Sequence, residues 1–473
     1  MGLAAKIAQN TFWQISGKIA GTVLGLVTIA LMTRYLGREG FGYYTTVISF
    51  LQFFGVLIDF GLQMTTAQML SRPGANQHKI FANILTVRLL SAVVFLGTAS
   101  ALIWFLPYPL AVKLGVGVAS LSFFFISLQS VLIGLYQKQM AMAEVAIAEV
   151  WGRFILLLGV WLAVAADLGL LAVIAAVSLG SLVNFLYLAI KARKHLSLRL
   201  EADFKVWRQI WEVSWPLAIT ISLTLVYFRA DTIILSLVRP AEDVGIYGAA
   251  YKVLETLIQF PYLFLGLILP LLTEFYLTSK GLFEKTLQKS FDFMAILAVP
   301  MVIATWLLAE KIMGFVAGAD FIIAAGPLRI LIVGAAMIYF GALAGYAIVA
   351  CGLQKKMISF YLFDAVFSLA AYLIFIPIFS YWAGAILTVA TEAIITLSAF
   401  YILRRETKTR ISLRAFWKAV LASAVMGLCL YPLLNQNILT LVLAGAIIYF
   451  LALYLFRGYN KSEVLDMIKL KKI

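Results

Sequence analysis

Ten ionisable residues interrupt stretches of sequence that are otherwise apolar. The first half of the chain holds Lys18, Arg88, Glu149 and Arg153, and the second half holds Arg229, Asp231, Lys252, Glu255, Asp364 and Glu392. The cations suit a phosphate-bearing ligand, because arginine presents a planar donor fork and lysine a point charge. Lys18 and Arg88 have no acidic neighbour within their own segments, so with Arg153 they would form a cationic wall, to which Lys252 and Arg229 are further candidates. The acids Glu149, Asp231, Glu255, Asp364 and Glu392 are candidate proton or sodium sites, or structural partners. Self-neutralisation competes with both chemistries: Glu149 and Arg153 are spaced i,i+4, and Lys252 and Glu255 are spaced i,i+3. Arg229 and Asp231 are two apart and face different directions, which leaves Asp231 as a candidate inter-helix contact. Arg34, Arg329 and Lys418 stand near segment ends, where long side chains reach the interface.

Other chemistry is poorly provided for. His78 and His195 fall in separate polar loops, and Cys351 and Cys429 lie inside apolar runs, so neither a metal cluster nor a disulfide framework is indicated. No G-x-x-x-x-G-K-[ST] run occurs. The sequence indicates no catalytic residues, no metal and no cofactor, beyond coupling to H+ or Na+ at the acids.

The elements that must position these charges are membrane helices. The 473 residues are 63% hydrophobic and only 12% charged, which excludes an ordinary soluble enzyme and equally a disordered chain. Apolar runs predict spans at about 11–34, 41–63, 80–106, 111–136, 143–167, 169–191, 214–238, 244–273, 290–309, 325–350, 357–378, 382–403, 415–434 and 437–456. Barrel strands would instead alternate over ~10 residues. The expected fold is an all-α polytopic membrane protein of about 14 helices, and its first apolar stretch is read as a retained span.

Charge then orients the chain. Loops bearing Lys6, Arg72 and Lys79, Lys138, the 191–213 segment, Lys280 to Lys289, Lys355 and Lys356, Arg404 to Arg414, and the basic tail alternate with loops nearly free of Lys and Arg. This places both termini in the cytoplasm of a multi-pass plasma (inner) membrane protein. The net charge of +15 is thereby explained by topology and calls for no nucleic acid.

The long polar interruption from Lys191 to Glu212 follows six spans. Within it Phe204, Trp207, Ile210 and Trp211 recur near helical spacing, as an interfacial amphipathic helix would. The expected organisation is a six-helix lobe over 1–200, an amphipathic cytoplasmic linker over 201–213, a second six-helix lobe over 214–404, and helices 13 and 14 with the basic tail over 405–473. A short charged turn leads into Gly-x-Tyr at both Gly42/Tyr44 and Gly245/Tyr247, equivalent places in two halves. Six spans per half make the lobes parallel repeats, an arrangement that suits alternating access. Pro261, Pro270, Pro300, Pro377 and Pro432 permit kinks. Helices 13 and 14, with Lys418 alone near an entry, read as an accessory pair facing lipid.

The opening Asn10-Thr-Phe-Trp-Gln-Ile-Ser, then Arg34-Tyr-Leu-Gly-Arg-Glu-Gly-Phe-Gly-Tyr-Tyr44, then Asp59-Phe-Gly-Leu62 resemble the polysaccharide transporter family. So do Arg229-Ala-Asp-Thr-Ile-Ile and Val244-Gly-Ile-Tyr-Gly-Ala-Ala-Tyr-Lys-Val-Leu-Glu255 in the second half. That family includes the Wzx-type O-antigen flippases of the multidrug/oligosaccharidyl-lipid/polysaccharide exporter superfamily. The resemblance implies two six-helix lobes and movement of an undecaprenyl-diphosphate-linked oligosaccharide, an O-antigen or other surface polysaccharide unit, to the outer leaflet. Its implied partners are the lipid-linked oligosaccharide, membrane lipids, a polysaccharide polymerase and glycosyltransferases. Related lipid II flippases commonly carry an FAEGAF-like stretch near span 2. Here Asp59-Phe-Gly-Leu-Gln-Met-Thr-Thr stands instead, which disfavours that branch, although fourteen spans fit it. The runner-up is a cation-coupled multidrug exporter of the same superfamily, against which cations buried in the first lobe argue, since like charges repel. A membrane glycosyltransferase or polymerase would need a large extramembrane loop, and none exceeds about 25 residues. The expectation is a transporter rather than an enzyme, with a channel disfavoured by analogy.

Overall fold

A computed structural model describes residues 3–70, 76–139, 141–193 and 199–457. Arg72, His195 and the tail residues Lys461, Lys469, Lys471 and Lys472, which enter the charge count above, lie outside the described residues. The apolar runs fold as helices because a backbone in lipid must satisfy its own N–H and C=O groups. In chain order the α-helices are α1 (Leu3–Asp59), α2 (Leu62–Leu70), α3 (Gln77–Leu102), α4 (Leu110–Lys138), α5 (Met142–Ala165), α6 (Gly169–Ala192), α7 (Phe204–Val238), α8 (Ala241–Thr278), α9 (Lys280–Val316), α10 (Ala325–Ala350), α11 (Gln354–Thr407), α12 (Arg414–Leu430) and α13 (Ile438–Leu455). Among the described residues, 11 helices are long and apolar enough to cross a membrane.

Two of these helices are broken by single residues where the sequence leads one to expect loops. α1 passes through Gly37 (φ 64°, ψ −172°) and α11 through Ser380 (φ 53°, ψ −139°). Glycine takes this conformation freely, whereas a non-glycine residue there costs on the order of 1 kcal/mol. The Ser380 hydroxyl donates to Asp243 Oδ2 at 2.5 Å, a tie that holds the break in place. The shortest expected turn, at Asp167 to Gly169, is real. Asp167 and Gly169 both have positive φ, and Tyr35 Oη donates to Asp167 Oδ1 while accepting from Gly169 N, both at 2.8 Å. Pro261 and Pro270 sit inside α8, Pro300 inside α9 and Pro377 inside α11, and each helix continues through them.

Contacts divide the chain into two compact units. One holds Met1–Gly248 with Val316–Asp320 and Ile376–Ser380, and the other holds Ala249–Phe315, Phe321–Phe375 and Tyr381–Ile473. These bounds fall elsewhere than the lobe bounds expected from the sequence, because α7 and the first turns of α8 pack with the first bundle. One core of the first unit gathers Val47, Leu51 and Ile58 of α1 with Ala92, Leu96, Val112 and Ile174. Another gathers Leu62, Met69, Phe81, Leu132, Leu188, Val206 and Ile210.

The last two of these residues correct the linker reading. Residues 204–213 open α7 and are continuous with it, and they bury Val206 and Ile210 while Phe204 and Trp211 are exposed. Trp211 stacks on Phe60 at 5.0 Å. Asp203 caps the helix by accepting from Lys205 N, and Lys79 Nζ lies 2.6 Å from its carboxylate. The Lys79 hydrogen bond, and then the Lys205 backbone N–H, hold the Asp203 carboxyl below its ordinary range. The apolar positions point into the first bundle because the capped helix docks there.

In the second unit Leu265, Leu272, Phe283, Leu287, Met294 and Leu343 form one core. A separate one joins α12 and α13 to α9 through Leu308, Ala422, Met426, Leu430, Leu441 and Tyr449. Tyr449 Oη donates to Ile296 O at 2.8 Å. The opposite faces of α12 and α13 expose Leu421, Leu428, Leu439, Leu443 and Ile447, as a lipid-facing pair would. A cavity of about 470 Å³ lies between α9 and α12, lined by apolar and aromatic residues including Ile303, Trp306, Leu307, Gly427, Leu428 and Tyr431.

Candidate functional site

A glycine ladder builds the first charged cluster. Gly17, Gly21 and Gly25 follow one another at i,i+4 on α1, so one stripe of that helix has no side chains. α5 closes onto the stripe: a Cβ on Gly17 would lie 2.7 Å from Ala146 Cβ, and one on Gly25 would lie 2.6 Å from Arg153 Nη1. The Arg153 side chain therefore lies flat along α1 in space the glycines leave. Its Nη1 donates to Gly21 O at 3.1 Å, and its Nε and Nη2 donate to Glu149 Oε1 at 3.2 and 2.9 Å. Lys18 Nζ stands 3.6 Å from the same Glu149 oxygen.

The cluster is thus two cations on one carboxylate, with a net charge of +1. Its side chains are about 30% exposed, so it is neither sealed in the core nor free in solvent. A guanidinium has five N–H donors and an ammonium three. Three of Arg153's donors are engaged, and Lys18 lies beyond ordinary hydrogen-bond distance of its acid. Donor capacity beyond these contacts therefore remains on both cations. The i,i+4 pairing of Glu149 and Arg153 was legible in the sequence, whereas the third member, Lys18, comes from a different helix. A signal in the sequence that could have found this contact is the Gly17-x₃-Gly21-x₃-Gly25 ladder, which marks the α1 face where another helix approaches.

Arg88 belongs to different machinery, and the expectation that it joins Lys18 and Arg153 in one wall is corrected. It is 2% exposed. Its Nε donates to Ser127 O at 2.9 Å, Nη1 to Ile58 O at 3.0 Å and Nη2 to Ser130 Oγ, and Nη2 pairs with Asp59 Oδ1 at 2.8 Å. Ile58 and Asp59 are the last residues of α1, where Phe60 and Gly61 turn to positive φ. A helix C-terminus leaves carbonyls unsatisfied and carries partial negative charge. Arg88 meets both needs and ties α3 and α4 to the end of α1.

Three of the second-half candidates are also bound up locally. Lys252 Nζ and Glu255 Oε2 are 2.7 Å apart on α8 and neutralise each other. Asp231 is 1% exposed and accepts from Tyr247 Oη, Thr232 N and Thr232 Oγ1, which makes it the expected inter-helix contact, joining α7 to α8. Arg229 lies close enough to act on Asp231 electrostatically.

Asp364 on α11 and Glu392 further along the same helix, beyond the Ser380 break, differ from all of these. Asp364 is fully buried, and neither carboxylate oxygen has a hydrogen-bond partner among the described residues. Glu392 is 6% exposed and within electrostatic reach of Asp364, Tyr262 and Tyr361. Two neighbouring buried carboxyls, one of them without a hydrogen-bond partner among the described residues, are suited to taking up a proton or a small cation. The tyrosines around them carry no sequence signal that separates them from the chain's other aromatics.

A family model described as "Polysaccharide biosynthesis protein" matches residues 7–276. No curated protein matches the chain. Among solved structures, "Lipid II flippase MurJ, inward closed conformation" superposes with a TM-score of 0.78 at 15% identity, covering 93% of this chain and 98% of that one. An inward-facing multidrug resistance MATE family transporter of the MOP superfamily gives a TM-score of 0.69 at 14% identity, covering 84% and 98%. A MOP superfamily transporter from Pyrococcus furiosus gives 0.55 at 15% identity, covering 83% and 95%. At these identities the matches establish a shared fold.

Proposed function

The chain belongs to the polysaccharide biosynthesis protein family, and we propose that it is a flippase for an undecaprenyl-diphosphate-linked oligosaccharide, moving it from the inner to the outer leaflet by alternating access. The observation that carries this reading is the partly exposed, net-cationic cluster of Lys18, Glu149 and Arg153 within the apolar helices of a chain of this family. Intramembrane charge is costly and is retained where it is paired or used, and a site of net charge +1 attracts an anion rather than a cationic drug. In this reading Lys18 and Arg153 take the substrate diphosphate, each as charged hydrogen bonds worth about 1.5–3 kcal/mol.

The same reading assigns fourteen crossings with both termini cytoplasmic. The breaks at Gly37 and Ser380 support that number, since each divides one long helix into two. The Lys/Arg-rich loops support the orientation. Asp364 and Glu392 are the coupling site for H+ or Na+, supported by their burial and by the Asp364 carboxylate oxygens, which have no hydrogen-bond partner among the described residues. The apolar cavity between α9 and α12 holds part of the prenyl chain, supported by its apolar lining and by the lipid-facing character of α12 and α13.

Reconstitution tests the reading. Purified protein in liposomes should accelerate the transbilayer movement of a fluorescent polyprenyl-diphosphate-N-acetylglucosamine, read by an impermeant quencher. Lys18→Ala and Arg153→Ala should each slow it about tenfold or more, one decade per 1.4 kcal/mol. Well-folded variants that move the probe as fast as the parent protein would reject the assigned site. Failure of the parent protein with every diphosphate-linked saccharide offered would reject the function.

A further inference from the structure

The apolar cavity between α9 and α12 has a charged rim. Trp306 and Leu307 line its α9 wall. Glu310 and Lys311 follow them at i,i+4, so they stand one turn further along the same face, toward the Lys/Arg-poor end of the helix. Arg329 joins them from α10 and lies across the tryptophan of the cavity wall. Its Nε donates to Trp306 O at 3.1 Å and its Nη2 to Glu310 Oε1 at 2.9 Å, and its guanidinium carbon is 6.0 Å from the centre of the Trp306 ring. Lys311 Nζ donates to Gln436 O at 2.9 Å, on the segment that joins α12 to α13.

Two cations and one acid give this rim a net charge of +1. The orientation signal places Lys and Arg on the other side of the membrane, so cations on this face call for a separate cause. The Arg329–Glu310 pair is a weak one to hold them there, because the Glu310 side chain is 63% exposed and exposed pairs contribute little. Arg329 spends two of its five N–H donors on these contacts and Lys311 one of its three. An arginine fork and a lysine point charge from two helices suit a pair of linked phosphates. The cavity beside them, about 470 Å³, is of a size to take one small apolar ligand or one stretch of a chain. Trp306 and Tyr431 at its wall are the aromatic types found where lipid chains meet headgroups.

We propose that this rim binds the diphosphate of a polyprenyl lipid whose chain lies in the cavity, and holds that lipid at the Lys/Arg-poor face. The proposal rests on the flippase reading, which assigns the cavity to the chain and nothing on this face to the headgroup. Its test is a binding measurement in detergent, where no transport occurs, so the two fail separately. The reporter is Leu428→Cys in a chain with Cys351 and Cys429 replaced by serine, since Leu428 lines the cavity and is 76% exposed. The probe is geranylgeranyl diphosphate, which should slow alkylation of that thiol by N-ethylmaleimide, with geranylgeraniol at least tenfold weaker. Arg329→Gln and Lys311→Gln should each raise the half-protecting concentration about tenfold, one decade per 1.4 kcal/mol, and Arg329→Lys should recover part of the loss. Glu310→Gln takes the rim from +1 to +2 and should lower that concentration several-fold, which the loss of a merely structural ion pair would not do. Where Arg329→Gln fails to fold, Glu310→Gln and Lys311→Gln decide. Protection equal for the diphosphate and the alcohol, or unmoved by the rim variants, overturns the proposal. So does equal protection by phosphatidylglycerol, which would make the rim a phospholipid site. Parent protein that moves the fluorescent lipid in liposomes but fails this test keeps the function and loses the rim.

Discussion

Replacing Arg88 separates a structural pin from a substrate contact. Arg88→Ala strands the Asp59 carboxylate inside the first unit and removes one donor each from the Ile58 and Ser127 carbonyls and the Ser130 hydroxyl, which keep other partners. Breaking a buried ion pair from one side costs about 3–5 kcal/mol. The Asp59 side chain is 26% exposed, so water recovers part of its solvation and the lower end, about 3 kcal/mol, is the better figure. Arg88→Lys keeps the charge, but one ammonium cannot span donors aimed at α1 and α4 together, so about half the loss should remain. Adding Asp59→Asn to Arg88→Ala removes the orphaned charge and should restore about 1–2 kcal/mol, a coupling that a double-mutant cycle reads directly. The assay is thermal or SDS-induced unfolding in detergent, run beside transport in liposomes. Arg88→Ala protein as stable as the parent but unable to bind a diphosphate would refute the pin and return Arg88 to the substrate site.

Glu149→Gln should leave Lys18 and Arg153 without their shared counter-charge. The melting temperature should fall, pyrophosphate should restore it, and pyrophosphate should bind several-fold tighter than to the parent by calorimetry, with unchanged affinity counting against an anion site. Asp364→Asn and Glu392→Gln should abolish stimulation of transport by an imposed proton or sodium gradient while sparing downhill movement, and a persisting response would remove these acids from coupling. Gly427→Leu should fill the cavity against Ile303 and Leu307, which would lie 3.4 Å from even a new Cβ. It should slow long-chain polyprenyl substrates several-fold and spare short-chain ones, with equal effects on both counting against a prenyl site.

Much of the fold is written in runs of apolar residues, because a bilayer permits little besides helices for such runs. The tight Asp167 to Gly169 turn and the exposed apolar faces of α12 and α13 accord with that constraint. The breaks at Gly37 and Ser380 were legible only as loops. A single residue in left-handed conformation joins two helices as well as a loop does, and at Ser380 the deciding contact, Asp243, is 137 residues away in the chain. The 204–213 stretch misled for a related reason. Its amphipathic pattern fits a membrane surface and a protein surface equally, and which one it meets depends on the docking of Asp203 by Lys79 and of Trp211 by Phe60.

The charges show where one-dimensional reasoning ends. Spacing along a helix correctly paired Glu149 with Arg153 and Lys252 with Glu255, since i,i+3 and i,i+4 neighbours meet whatever the tertiary structure. It was silent on Arg88, whose acid is 29 positions away on another helix, and on Lys18, whose acid is on α5. In both cases the absence of a local partner reflected a distant one. A lone intramembrane cation in a sequence is therefore a pointer to a helix–helix contact first and to a ligand second, and exposure decides between them. Arg88, sealed and fully engaged, is spent on holding α1, α3 and α4. Lys18 and Arg153, a third exposed and sharing one carboxylate, keep donors in reserve, and that reserve is the physical basis for placing an anion at their side.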